Sequence, residues 1–124
     1  LVVSEEKRIY QYDYNRSAGS LRNRCVLCSD FVGDGIPDGM TVDPRDGSLY
    51  VAIWGGGRLE KRAPTGECIA SVRFPMPLVT SVEIAGSRLF VTTGNKADDF
   101  DAAYRDFKAG AVFVASFEYG KSNM

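Results

Sequence analysis

Apolar residues along this chain come in short bursts separated by Gly, Pro, Asn and Asp. Leu49-Tyr50-Val51-Ala52-Ile53-Trp54 is a continuous run rich in β-branched and aromatic residues, and it predicts a strand. Gly55-Gly56-Gly57 punctuates it, and Arg58-Leu59-Glu60-Lys61-Arg62 follows as the next strand. A turn at Ala63-Pro64-Thr65-Gly66 then leads to a further strand from Cys68 to Phe74. The opening segment repeats the pattern: Leu1-Val2-Val3, then Arg8 to Asp13, a turn ending at Ala18-Gly19, and Leu21 to Leu27. A third copy starts at Thr80-Ser81-Val82-Glu83-Ile84, continues through Arg88 to Thr93, and ends with Gly110 to Phe117.

Leu49 and Leu89 stand 40 residues apart, and Arg8 and Arg58 stand 50 apart. Short strands that repeat at about 40 to 45 residues are the mark of four-stranded propeller blades. The expected fold is therefore all-β. Met40-Thr41-Val42-Asp43 is expected in the strand nearest the central channel, with Pro44-Arg45-Asp46-Gly47 as the turn to its neighbour. On this reading residues 1–35 end one blade, 36–75 make a complete blade, and 76–124 supply three strands of a last one. Propellers close with about 4 to 8 blades, so about three blades do not close one alone. Residues 94–109 interrupt the strand pattern. Phe100, Tyr104 and Phe107 fall at helical spacing there, which predicts a helical turn within 97–108. Asp98, Asp99 and Asp101 read as the solvated first turn of that helix rather than as cation ligands.

Composition narrows the chemistry. The 124 residues contain no His, which removes His acid–base catalysis, His-activated Ser or Cys nucleophiles and His zinc sites within this chain. Carboxylates, amides, hydroxyls, a thiol or a hard metal ion remain. Fifteen Lys and Arg against 16 Asp and Glu, with no basic run, give no electrostatic footprint for nucleic acid or an anionic membrane. No apolar run approaches the roughly 20 residues of a membrane span. Leu1-Val2-Val3 runs straight into Ser4-Glu5-Glu6-Lys7-Arg8, unlike a secretory leader. The absence of an initiator Met points to a processed, truncated or partly represented chain. Cys25, Cys28 and Cys68 are an odd number, and residues three apart on a strand face opposite ways, so Cys25 and Cys28 read as structural thiols. Three free thiols favour a reducing compartment, the cytoplasm.

The stretch that carries chemistry is Ile36-Pro37-Asp38-Gly39-Met40-Thr41-Val42-Asp43. Pro37 fixes the approach, and Gly39 lets the backbone come close to whatever Asp38 faces. A carboxylate at the mouth of a propeller channel is a natural hard-cation ligand, because the channel collects residues from several blades. An Asp capping the entry to a strand is the other reading of the same residue. Thr80 and Ser81 open the next inner strand and are candidates to line the channel. Trp54 reads as a blade cover and Arg58 as a solvated charge paired on an outer strand.

From about Lys7 to Gly120 the chain resembles the family of regucalcin (senescence marker protein), gluconolactonase and luciferin-regenerating enzyme. The phrases that carry the resemblance are Pro37-Asp38-Gly39-Met40-Thr41-Val42-Asp43, Leu49-Tyr50-Val51-Ala52, Gly56-Gly57-Arg58, Thr80-Ser81-Val82, Leu89-Phe90-Val91-Thr92-Thr93 and Gly110-Ala111-Val112-Phe113. Tyr12-Asp13-Tyr14 fits the family as well. The resemblance implies the C-terminal half of a six-bladed propeller with one divalent ion (Ca, Zn, Mn or Mg) in its channel. The family's ligands are a Glu near the N-terminus, an Asn of an Asn-Gly motif and the Asp of Pro-Asp-Gly, and only the last maps here, onto Asp38. The implied activity is hydrolysis of a sugar lactone or related ester, with Asp38 as metal ligand and base. The implied partner is the missing N-terminal half or a second copy of the chain, without which no activity is expected. A non-catalytic calcium-binding or scaffold propeller is the alternative, since one fold hosts many functions.

Overall fold

The computed structural model describes residues 1–94 and 110–116, and within them every regular element but one is a β-strand. The exception is a single 3₁₀ turn at Ser4–Glu6, which the apolar pattern does not predict. The helical turn expected within 97–108 lies outside the described residues. Strands β1 (Val2–Val3), β2 (Arg8–Asn15) and β3 (Ser20–Cys28) form one antiparallel sheet in that order. Strands β4 (Ile36–Val42), β5 (Leu49–Trp54), β6 (Arg58–Arg62) and β7 (Cys68–Arg73) form a second, four-stranded sheet. Strands β8 (Val79–Ala85), β9 (Arg88–Thr93) and β10 (Val112–Ser116) form the third. All pairings are antiparallel and between chain neighbours, as in successive propeller blades.

The strand expected to begin at Met40 starts earlier, at Ile36, because Ile36 and Pro37 already pair with Trp54 and Ile53. Strand β4 touches β8, and β5 touches β8 as well, so the sheets pack side by side through their first strands.

Two apolar cores fill the gaps between sheets, and β5 belongs to both. Leu49, Val51 and Ile53 join Ile9, Cys28 and Phe31 on the side of the first sheet. Tyr50 and Ala52 join Leu59, Val79, Val82, Leu89 and Val91 on the side of the third. A strand alternates its side chains between faces, so one packed on both sides must be apolar at every position. That is the physical origin of the unbroken run Leu49–Ile53.

Charged residues also lie inside. Arg62 is completely buried on β6, and its guanidinium lies 4.1 Å above the Phe31 ring. It donates to Glu60 Oε2 at 3.0 Å, to Asp30 Oδ1 at 2.5 Å and to the Gly66 carbonyl at 2.9 Å. With Nε also donating to Glu60 Oε2 at 3.3 Å, each of the three guanidinium nitrogens has a partner, as a buried cation requires.

Candidate functional site

The inner strands β4 and β8 each carry a bulge at the same place. On β4, Pro37 pairs with Ile53 and Met40 with Val51, so Asp38 and Gly39 together face the single residue Ala52. On β8, Val79 pairs with Thr93 and Ser81 with Thr92, which leaves Thr80 as the extra residue. Bulges bend a strand and re-aim the side chains they carry. Aligned through the bulges, Asp38 corresponds to Thr80 and Gly39 to Ser81.

Gly39 is the point where the two bulged strands meet. A Cβ there would lie 2.7 Å from both Ser81 Cβ and the Thr80 carbonyl oxygen, and still nearer the Ser81 hydroxyl. The close approach brings Asp38, Thr80 and Ser81 to one end of the inner strands. The Thr80 hydroxyl is taken up inside its own sheet, 2.7 Å from Thr92 Oγ1 and 3.1 Å from the Thr92 carbonyl. Ser81 is exposed. Two residues further along, Thr41 Oγ1 donates to the exposed Glu83 Oε1 at 3.0 Å and ties the strands again. Thr41 and Glu83 did not stand out in the sequence, because their importance lies in a register between strands 42 residues apart.

Asp38 itself is half-buried and makes no hydrogen bond or ion pair among the described residues. Burial, with nothing to offset it, pushes its carboxyl above the usual carboxylate range. An anionic oxygen pair that has lost water and gained no donor suits a cation, so the residue fits a metal ligand. No group of three or more Cys, Asp or Glu able to hold a metal occurs among the described residues. Among the described residues Asp38 therefore does not make a complete cation site. Asp43, at the other end of β4, shows the contrast. Burial alone would raise its carboxyl, but the Arg45 side chain at 2.9 Å and the Arg45 backbone N–H overcome this and hold it low.

The backbone that leads into Asp38 is fixed from behind by the Gly55–Arg58 turn. Arg58 is buried, against the expectation of a solvated charge. It does pair within its strand, with Glu60 at 3.5 Å, but its remaining donors reach the Asp34 carbonyl at 2.7 Å and the Val32 carbonyl at 2.9 Å. A residue's charge says nothing about which carbonyls a distant loop brings to it. Gly35, at φ 91°, lies backbone to backbone against this turn, where a Cβ would sit 2.5 Å from Gly56 N and 2.6 Å from the Trp54 carbonyl. Trp54 is half-buried and bridges to Leu78.

The chain is similar to known proteins over most of its length. The profile of the family described as SMP-30/Gluconolactonase/LRE-like region matches residues 2–95. Zebrafish (Danio rerio) regucalcin is 34% identical over 106 residues, covering 82% of this chain and 36% of its own length. The putative sugar lactone lactonase YvrE of Bacillus subtilis is 31% identical over 118 residues, covering 92% of this chain and 40% of its own. Among solved structures, a luciferin-regenerating enzyme superposes with a TM-score of 0.76 at 30% identity, over 92% of this chain and 39% of that one. A regucalcin from Agrobacterium tumefaciens, described as a calcium-binding protein, shares the fold with a TM-score of 0.78 at 24% identity over 90% of this chain. The chain therefore spans about two fifths of the length of the relatives it matches. With its strand order, paired bulges and Pro-Asp-Gly motif, the chain belongs to the SMP-30/gluconolactonase/luciferin-regenerating enzyme family.

Proposed function

We propose that the chain is the C-terminal part of a divalent-cation-dependent lactonase-like hydrolase acting on a sugar lactone or a related ester. Residues 1–35, 36–75 and 76–124 would be the end of one blade, a whole blade and a partial last blade. The observation that carries the reading is the half-buried carboxylate of Asp38, without a partner among the described residues, on a bulge of an inner strand in a chain of this family. Its curated relatives include a putative sugar lactone lactonase.

When bound, a divalent ion (Ca, Zn, Mn or Mg) supplies Lewis acidity toward a carbonyl and lowers the pKa of bound water. Asp38 would hold it with an anionic oxygen, together with ligands from blades outside this chain. In a chain without His, a carboxylate beside the ion is also the group that would take a proton from water. The exposed Ser81 hydroxyl would line the channel and orient the substrate, whereas the Thr80 hydroxyl, engaged by Thr92, would shape the strand that presents it. Completion of the channel requires the remaining blades or a second copy. The cytoplasm is the compartment that suits three free cysteines.

The test is the variant Asp38→Asn in the protein completed by its remaining blades. Calcium and manganese affinity by calorimetry should fall at least about tenfold, and hydrolysis of a sugar lactone should fall with it. Unchanged cation affinity overturns the ligand role. A second reading, a calcium-binding propeller without catalysis, is favoured by the description of the Agrobacterium relative. Tight calcium binding with no turnover of any sugar lactone, under any of the four metals, would select it.

A further inference from the structure

Four strands of the second sheet are joined by turns, and the Gly55–Arg58 turn reaches outside its own sheet in both directions. Toward the first sheet, Arg58 donates to the Val32 and Asp34 carbonyls, and Gly56 presents its bare backbone to the same loop. A Cβ on Gly56 would lie 2.5 Å from both Arg58 Nη1 and the Asp34 carbonyl oxygen. Toward the third sheet, Gly57 N donates to the Pro77 carbonyl at 3.0 Å and Phe74 N donates to the Gly57 carbonyl at 2.9 Å. Within its own sheet, Arg73 Nη1 at the end of β7 adds a bond to the Gly56 carbonyl at 3.3 Å. The two loops so held, 29–35 and 74–78, are those that enter β4 and β8. They deliver Asp38 and Thr80-Ser81.

We infer that the Gly55–Arg58 turn sets the position of Asp38 for cation binding, and that Arg58 is a positioning residue acting through the Val32 and Asp34 carbonyls. The inference rests on the reading of Asp38 as a cation ligand. Three physical points support it. The guanidinium is a rigid planar fork, able to hold two carbonyls at once in a way that a lysine ammonium is not. It is buried, with Nε against Glu60, a carboxylate it shares with Arg62, and with both Nη groups committed to the loop carbonyls, so what it supplies to that loop is geometry. The held loop meets Asp38 after only Gly35, Ile36 and Pro37, where Gly35 is wedged and Pro37 fixes its own φ, so displacement of Asp34 passes to the bulge with little slack. Partners that orient a ligand from behind commonly change metal affinity by about 10–100-fold when removed.

The experiment compares Arg58→Lys, Gly56→Ala and Asp38→Asn in the protein completed by its remaining blades, with calcium as the probe. Arg58→Lys keeps the charge and loses the fork. Gly56→Ala keeps the arginine and displaces its guanidinium, and so serves where Arg58→Lys does not fold. Each should weaken calcium binding by about tenfold, with the metal-free protein still folding cooperatively and amide exchange accelerated across 32–39. Folded variants with calcium affinity within twofold of wild type overturn the inference, even where they melt earlier. If Asp38→Asn alone weakens binding, the turn is scaffold only and the reading of Asp38 stands. If none of the three weakens it, the reading of Asp38 fails first.

Discussion

Asp38 on β4 and Asp43 just beyond its end should give stability slopes of opposite sign with pH. Burial pushes the Asp43 carboxyl up, but Arg45 overcomes this and holds it below the usual carboxylate range, so its contribution is present in full above that range and is lost as pH falls through and below it. Asp38 is raised by burial, so the folded chain binds its proton more tightly than the unfolded chain, and stability declines as pH rises through its range. In metal-free protein, Asp38→Asn should therefore raise the melting temperature slightly at neutral pH and remove part of that decline. Asp43→Asn should lower the melting temperature and flatten the loss in acid. Matching slopes in the two variants would contradict the assignment. At Arg62 the stakes are larger, because Arg62→Met leaves buried Glu60 only its longer contact with Arg58 and strips the Gly66 carbonyl of its donor; we expect a loss of about 3 kcal/mol in urea titrations. The exposed Asp30 end of the same cluster should matter less, with Asp30→Asn costing no more than about 1 kcal/mol. Asp38 was legible in the sequence because Pro and Gly frame it. Arg58 and Arg62 were not, since burial of a charge depends on partners that arrive from other strands.

At the scale of elements, most strands were legible from apolar runs and turn residues, because each strand–turn–strand unit is local. The paired bulges were not, for they exist only relative to a neighbouring strand. Gly39 shows what they require: Gly39→Ala forces a Cβ against the Thr80 backbone, and should cost about 2 kcal/mol in the midpoint of urea unfolding. No φ strain enters that figure. The 3₁₀ turn at Ser4–Glu6 ends at Lys7, whose φ of 50° is left-handed, and Lys7 precedes Arg8 as Gly57, at φ 60°, precedes Arg58. The repeat therefore places a lysine where the second sheet uses glycine. Lys7→Gly should stabilise by roughly 0.5–1 kcal/mol, and a destabilised variant would mean that the lysine side chain has a role there.

For the whole molecule, the proposed reading makes association the expected behaviour of the chain alone. Val112 and Val114 are more than half exposed on β10, which pairs only with β9 among the described residues, and β7 is exposed along its whole length. Exposed apolar strand edges invite pairing. Light scattering on the isolated chain should give a mass above that of a monomer, and supplying the remaining blades should replace it with a single closed species. A stable monomer that hydrolyses a sugar lactone unaided would contradict the proposal. The way the loops are tied also bears on how such a protein is made. A ribosome emits Asp38 before Arg58, and its neighbour Ser81 later still, while domains assemble roughly in the order of synthesis. The candidate ligand thus emerges before the parts that hold it, so a nascent chain halted at Trp54 would already carry the Pro-Asp-Gly motif and yet have nowhere to put it.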